Sequence, residues 1–322
     1  MAKKRPKEIE AKLPLSKDIP LNGPAYKASK TKKAKKSEAV KEKKVKDETL
    51  IIEATTLWDY PKQSYGDKPK GNNKYAGVTP AFIIWNLVQR YTGPGDLVVD
   101  PMAGSGTTID VCKEEGRQVI GYDISPAHPE VMQNDARNIP LPNDSVDMVF
   151  IDSPYSDNIN YSDHPDCIGK ISCEDERFFD ELDKVAAEIH RVLKPGKVMA
   201  WLIGDQWVKK RFTPVGLKLY ERLCKYFETV DLICVVRRGQ SSNTGIWHTR
   251  ARRFNFYLRG FKYLFIMRKP VTETAKGEQN RSVKWARYER GGTKEEGKQK
   301  VLPQPRRPRL AMDKGKNKSL KS

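Results

Sequence analysis

Three short, almost wholly apolar runs, each meeting an aspartate at its end, constrain the fold more than any other feature of the chain. They are Leu97-Val98-Val99-Asp100, Val119-Ile120-Gly121-Tyr122-Asp123, and Asp147 to Ile151 running into Asp152. A strand apolar at successive positions is covered on both faces, which indicates a parallel sheet flanked by helices. The segments between them fit that reading. Ala81 to Tyr91 has helical apolar spacing and stops before Thr92-Gly93-Pro94-Gly95, and Thr107 to Glu115 reads as a helix closed by Gly116. Glu174 to Leu193 is a long amphipathic helix stopped by Lys194-Pro195-Gly196, followed by a strand at Val198 to Ile203 and a helix at Val215 to Phe227. Val230 to Val236 and Tyr263 to Met267 complete the strands. The alternation predicts an α/β, Rossmann-like sheet of about seven strands in a single domain.

Charge marks the borders of that domain. The chain has 322 residues and a formal net charge of +19. Residues 1–48 carry 16 lysines and arginines against 7 acids, residues 271–322 carry 15 against 6, and the stretch between is nearly neutral. Both ends bury too little apolar surface to offset their ordering entropy, so each is expected to be a basic, disordered tail around a domain at 49–270. Such tails suit phosphate contact through counterion release, or serve only to solubilise. No run of about 18 apolar residues exists and the N-terminus lacks an apolar signal core, so no membrane span or secretory signal is expected. The five cysteines form no CxxC pair, and His164, Cys167 and Cys173 are irregularly spaced without a fourth ligand; no metal is expected.

The first chemically informative segment is Asp100-Pro101-Met102-Ala103-Gly104-Ser105-Gly106-Thr107-Thr108, between the first strand and its helix. Ligands of open α/β sheets sit beyond the carboxyl ends of the strands, where glycines admit a close backbone approach and the helix offers free N–H groups. Asp123, about 20 residues on at the end of the next strand, can accept hydrogen bonds from ribose hydroxyls. The turn is neither a P-loop nor a GxGxxG fingerprint, and taken alone it fits any nucleoside-containing cofactor or a plain connection. The second segment is Asp152-Ser153-Pro154-Tyr155. An exocyclic amine on a base is a poor nucleophile because its lone pair is delocalised; an acceptor for its hydrogens helps localise that pair. Asp152 can be that acceptor, with a carbonyl held out by the Pro154 turn, and Tyr155 can stack on an unpaired base. Taken alone, the tetrapeptide reads equally well as a turn that ends a strand.

Together the two segments resemble the amino-methylating DNA methyltransferases, which make N6-methyladenine or N4-methylcytosine. That family pairs a D-P-F-x-G-S-G-T-T cofactor motif with a D/N/S-P-P-Y/F catalytic motif. Here the first reads DPMAGSGTT, with Met102 in the aromatic position, and the second reads DSPY, with Ser153 at the first proline. The resemblance covers about residues 50–270 and implies a class I methyltransferase fold with S-adenosylmethionine as cofactor. It implies catalytic roles for Asp152, Pro154 and Tyr155. It implies cofactor contacts for Asp100, Met102, Ala103, Gly104, Ser105, Gly106, Thr107, Thr108 and Asp123. Thr79, in the segment from Lys74 to Tyr91, would help hold the methionine part, and Asp135, in Asn134-Asp135-Ala136-Arg137, would lie near the adenine. Leu193-Lys194-Pro195-Gly196-Lys197 resembles a helix-to-strand connection widespread in class I methyltransferases. By this resemblance the methyl passes in one in-line step to the amine of a flipped base, without a covalent intermediate; no cysteine stands in a Pro-Cys arrangement.

The segment 237–260 holds six arginines and no carboxylate, and Arg237, Arg238, Arg250, Arg252 and Arg253 are its candidate nucleic-acid contacts. Its alternative is a solvated basic loop over Phe254, Phe256 and Tyr257. Asp157 to Asp163 is expected to close over the target base, and Trp58-Asp59-Tyr60 with Tyr65-Gly66 to help form the cofactor pocket; an ordinary structural role is the alternative for both. DNA is the expected partner, with RNA possible, because no RNA-binding module is recognisable. A non-catalytic nucleic-acid-binding protein is the rival of another class if Ser153 disables the site, and a small-molecule methyltransferase is the third. The expected setting is the cytoplasm, at the nucleoid or in a phage host, in restriction-modification, defence or regulation. The choice between adenine and cytosine, the recognised sequence and the oligomeric state stay open at this level.

Overall fold

The expected strands line up side by side in one sheet. The computed structural model describes residues 50–271 apart from Asn73, Ala76 and residues 239–244, so the two basic tails, and part of the arginine-rich segment, lie outside the described residues. The sheet contains β1 (Leu57–Trp58), β2 (Leu97–Asp100), β3 (Gln118–Asp123), β4 (Val131–Gln133), β5 (Val146–Asp152), β6 (Leu193–Ile203), β9 (Glu228–Val236) and β10 (Phe261–Arg268). A separate hairpin pairs β7 (Gln206–Val208) with β8 (Arg211–Thr213). The helices are α1 (Ala81–Tyr91), α2 (Thr107–Glu114), α3 (Glu176–Val192), α4 (Val215–Leu223) and α5 (Gly245–Arg253).

Strand order is β1-β9-β10-β6-β5-β2-β3-β4. β10 runs antiparallel to β6 and β9, and every other pairing in the sheet is parallel. From β2 the chain winds outward to β3 and β4, then returns to place β5 on the other side of β2. The carboxyl ends of β2 and β5 therefore diverge at a topological switch point, where doubly wound sheets bind ligands. This is the Rossmann-like sheet expected, with eight strands rather than about seven. The two strands the apolar pattern missed, β1 and β4, are the short edges of the sheet, and Leu57 and Met132 on them are exposed. An edge strand is covered on one side at most, so it need not carry an apolar run.

Each central strand feeds two cores. In β5, Val146, Val149 and Ile151 pack with α3 and α4, whereas Met148 and Phe150 pack with α1 and α2. That alternation is why the strand is apolar throughout. Trp58, Tyr60 and Tyr65 belong to the second core, with the Tyr60 ring stacked on Phe82 at 5.2 Å. They support α1 and stand apart from the cleft described below, so the structural alternative holds for these aromatics. Their packing against α1 was invisible in the sequence because it joins elements some 20 residues apart. Within the arginine-rich segment, residues 245–253 form a helix, α5, with no buried residue.

Candidate active site

A cleft partly open to solvent, with about 1150 Å³ of space when the solvent at its mouth is counted, lies at the switch point. Its floor is the β2–α2 turn: Asp100, Met102, Ala103, Gly104, Ser105, Thr107 and Thr108 all line it, as do Asp123, Asp135, Thr79, Asp152, Pro154 and Tyr155. Gly106 stands just behind the lining. It caps α2 with a left-handed backbone, φ 82°, and its Cα lies against the His128 ring. Of the five arginines singled out, Arg237 alone lines the cleft. Arg238 pairs with Asp59 through two nitrogens, and Arg250 and Arg253 lie over the Trp247 and Phe254 rings on the exposed α5 segment.

The turn is held by the aspartates that end the strands. Asp100 accepts from the Thr108 hydroxyl at 2.5 Å and from the Met102 amide at 3.1 Å. Asp123 accepts from the Gly104 amide on one oxygen and from the Ser125 amide on the other, each at 2.9 Å. A carboxylate offers about four acceptor positions, so Asp123 keeps room for two more donors. Gly104 has φ 43°, and a Cβ there would come within 2.9 Å of the Tyr75 ring; glycine lets that ring roof the turn.

Burial pushes the Asp100 carboxyl up to about 7, against the opposing bonds from Thr108 and Met102 and with help from nearby Asp123 and Asp152. Burial raises Asp123 in the same way. The sign follows from linkage: a carboxyl raised in the folded state contributes stability while protonated, and loses it as pH climbs from about 4 through 7. A ligand presenting an ammonium group to Asp100 binds its ionised form. Its affinity is therefore expected to rise about fivefold between pH 6 and 7, by about twofold more up to pH 8, and to level off beyond that. Calorimetric titration across pH 5.5–8.5 checks this, and a flat profile would refute it.

The DSPY turn closes the other wall. Asp152 receives the Tyr155 hydroxyl at 2.8 Å on one oxygen, and the Thr79 hydroxyl at 2.6 Å with the Lys262 ammonium at 3.3 Å on the other. Thr79 thus serves the DSPY aspartate directly while lining the cleft. Ser153 turns away: it is buried, absent from the lining, and its hydroxyl accepts the indole N–H of Trp201 at 2.9 Å. A proline there could not satisfy that buried donor, which explains the departure from the family pattern on packing grounds. Pro154 rests on Gly169 in the short 3-10 helix Ile168–Lys170.

Lys262, Tyr75 and Tyr161 complete the walls. Lys262, from β10, sits 5.1 Å above the Tyr155 ring as well as beside Asp152. Tyr75 and Tyr161 add two further rings; burial raises both phenols. Tyr161 lies in the 157–163 segment, which does reach the cleft through Asn158, Ile159, Tyr161 and Ser162. Arg137 ties the far end together, bonding Asp135 on both oxygens, Glu181, and the Asp166 carbonyl. No motif marks Lys262, because only the antiparallel insertion of β10 beside β6 brings it to this edge.

The fold and this site define a class I methyltransferase architecture. A family model described as DNA methylase, of the N6/N4 type, matches residues 2–134. The type II methyltransferase M.Cfr9I of Citrobacter freundii is 33% identical over 97 residues, 30% of this chain and 30% of that protein. The DNA adenine methyltransferase YhdJ of Escherichia coli is 33% identical over 69 residues, 21% of this chain and 23% of YhdJ. The matched stretches thus span less than a third of either relative. Among solved structures, TrmN from Thermus thermophilus is similar at 16% identity, over 60% of this chain and 50% of that one, with a TM-score of 0.41. Over the matched stretches the family model and the curated relatives make this chain similar to the N6/N4-type DNA methylases, in line with the motif pair.

The cleft fits S-adenosylmethionine chemically. Asp100, Asp123, Asp135 and Asp152 all face it, so a ligand bearing an ammonium, a sulfonium, a ribose diol and an aromatic amine meets acceptors and negative charge. A phosphate-bearing nucleotide would set its anion against the same carboxylates.

Proposed function

We propose that the chain methylates an exocyclic amino group of a base in DNA, adenine N6 or cytosine N4, taken out of the helix into this cleft. Residues 49–270 are the catalytic domain in this reading, and 237–260 its nucleic-acid contact. The observation that carries it is Asp152: a carboxylate oriented by three donors at the cleft wall, with one acceptor position left on the oxygen that bonds Tyr155. Asp100, Asp123 and Asp135 would hold S-adenosylmethionine, with Gly104 and Tyr75 shaping the turn around it. When bound, that group supplies an electrophilic methyl. Asp152 accepts a hydrogen of the attacking amine and offsets the positive charge that develops on nitrogen. Thr79 and Lys262 fix the carboxylate, and the Tyr155 and Tyr161 rings provide apolar faces for the base.

Ser153 does not argue for a non-catalytic protein, because its hydroxyl is spent on Trp201 in the core and takes nothing from the cleft. The test is incubation with labelled S-adenosylmethionine and unmethylated DNA or RNA in parallel, then digestion and mass spectrometry of the nucleosides. N6-methyladenine or N4-methylcytosine in DNA establishes the reaction and names the base. Label confined to RNA, or cofactor binding without any transfer, would overturn it.

The exposed α5 arginines give a separate expectation. Replacing Arg252 and Arg253 with alanine should weaken duplex binding and lower the slope of log affinity against log salt by about 1–2, near 0.9 for each phosphate no longer neutralised. Fluorescence anisotropy across a salt series measures this, and an unchanged slope would remove these residues from the interface.

A further inference from the structure

We infer that the β7–β8 hairpin is a second DNA-docking element, which grips backbone phosphates of duplex DNA beside the cleft. The inference rests on the DNA methyltransferase reading above. β6 ends at Ile203, and the Cα of the next residue, Gly204, lies against the Tyr155 ring, so the hairpin rises from the sheet edge on which the cleft opens. The 237–260 segment leaves β9 and enters β10 at that same edge, next to β6.

The two elements are joined by aromatic contacts. Trp207 of the hairpin stacks on Phe256 at 5.7 Å with a 22° interplanar angle, and Arg259 lies 4.9 Å over Phe212. Trp207 and Phe212 remain 40% and 46% exposed, so each ring keeps a face towards solvent. A surface that interleaves rings with cations suits nucleic acid.

The turn itself is unusual. Its two central residues, Lys209 and Lys210, both adopt left-handed backbone, with φ of 46° and 64°. Two-residue hairpin turns of this kind favour Asn-Gly, and a side chain in that region is strained. Two lysines at these positions work against the local preference, which points to a use for their charge. Lys209 is anchored to Glu174 at 2.7 Å, whereas Lys210 and Arg211 have no carboxylate partner among the described residues. The tip therefore presents two uncommitted cations on a held scaffold. A phosphate backbone running past the cleft matches that chemistry.

The test exchanges the turn for one that is better as a turn and worse as a cation: Lys209→Asn with Lys210→Gly, plus Arg211→Gln, in the full chain. Thermal stability should be equal or higher. Affinity for an unmethylated duplex at about 0.1 M salt should fall on the order of tenfold, and the salt slope by about 2, while S-adenosylmethionine affinity is unchanged. Duplex affinity and slope equal to those of the parent would overturn the inference. So would a parent protein that prefers single-stranded RNA to duplex DNA and loses that preference in the variant. A parent that neither binds nor methylates DNA instead overturns the function proposed above, which separates the two failures.

Discussion

Replacing Asp152 with alanine is expected to lower methyl transfer by about 10²–10⁴-fold while leaving cofactor affinity within about threefold of the parent. The asymmetry comes from where the carboxylate stands. Asp152 ends β5 at the DSPY wall, whereas Asp100 and Asp123, the groups that engage the turn of the proposed cofactor site, end β2 and β3. Its loss also strands the buried Thr79 and Tyr155 hydroxyls and the mostly buried Lys262 ammonium, at a stability cost of about 1–3 kcal/mol for each unsatisfied donor, so a thermal melt accompanies the rate measurement. Asparagine in its place keeps the shape but turns an N–H₂ towards either the Tyr155 hydroxyl or the Thr79 and Lys262 donors, and should be almost as inactive. Single-turnover transfer of label to DNA, with calorimetric titration of the cofactor, separates the two effects. A variant within tenfold of the parent rate would remove Asp152 from the chemistry.

Gly106→Ala is expected to lower the melting temperature by about 5–15 °C and to weaken cofactor binding at least tenfold. Two costs combine. Left-handed backbone is disfavoured for alanine by roughly 1–2 kcal/mol, and the new methyl would overlap the His128 ring, at about 1–3 kcal/mol for overpacking. In a domain of this size each kcal/mol moves the transition by about 2–4 °C. The cofactor effect is indirect: Gly106 donates to the Ala103 carbonyl and its own carbonyl accepts from Asp110, so its displacement drags the turn that lines the cleft. Gly93→Ala is the control, because nothing lies near a Cβ there and its backbone is ordinary. Equal thermal shifts for the two variants would show that the positive φ and the His128 contact carry no weight.

How far the sequence reaches is clearest by contrast between elements. The central strands and the boundaries of α1 were legible because burial on both faces and a 3.6-residue period leave a local signature. β1 and β4 left none, being short and covered on one side at most. The β2–α2 turn and the DSPY turn were legible as motifs because each packs its distinctive residues into a few consecutive positions. The eleven-residue helix α1 was likewise bounded by its own local pattern. Ser153 read from the sequence as a weakening of the motif, and only the fold reveals Trp201 as the reason for it.

What the sequence by itself determined was therefore the sheet type, the edge on which the cleft opens, and the acidic residues that end β2, β3 and β5. Those depend on residues adjacent in the chain, whose spacing carries the physics. What only the tertiary structure decided was which groups meet across the cleft. Lys262 reaches Asp152 from 110 residues away because β10 inserts antiparallel beside β6. Thr79 reaches it across 73 residues from the segment before α1. The hairpin likewise meets the arginine-rich segment only because β6 and β9 flank the same strand. Contacts of that kind are set by strand order, and strand order is a property of the packed sheet rather than of any local run of residues.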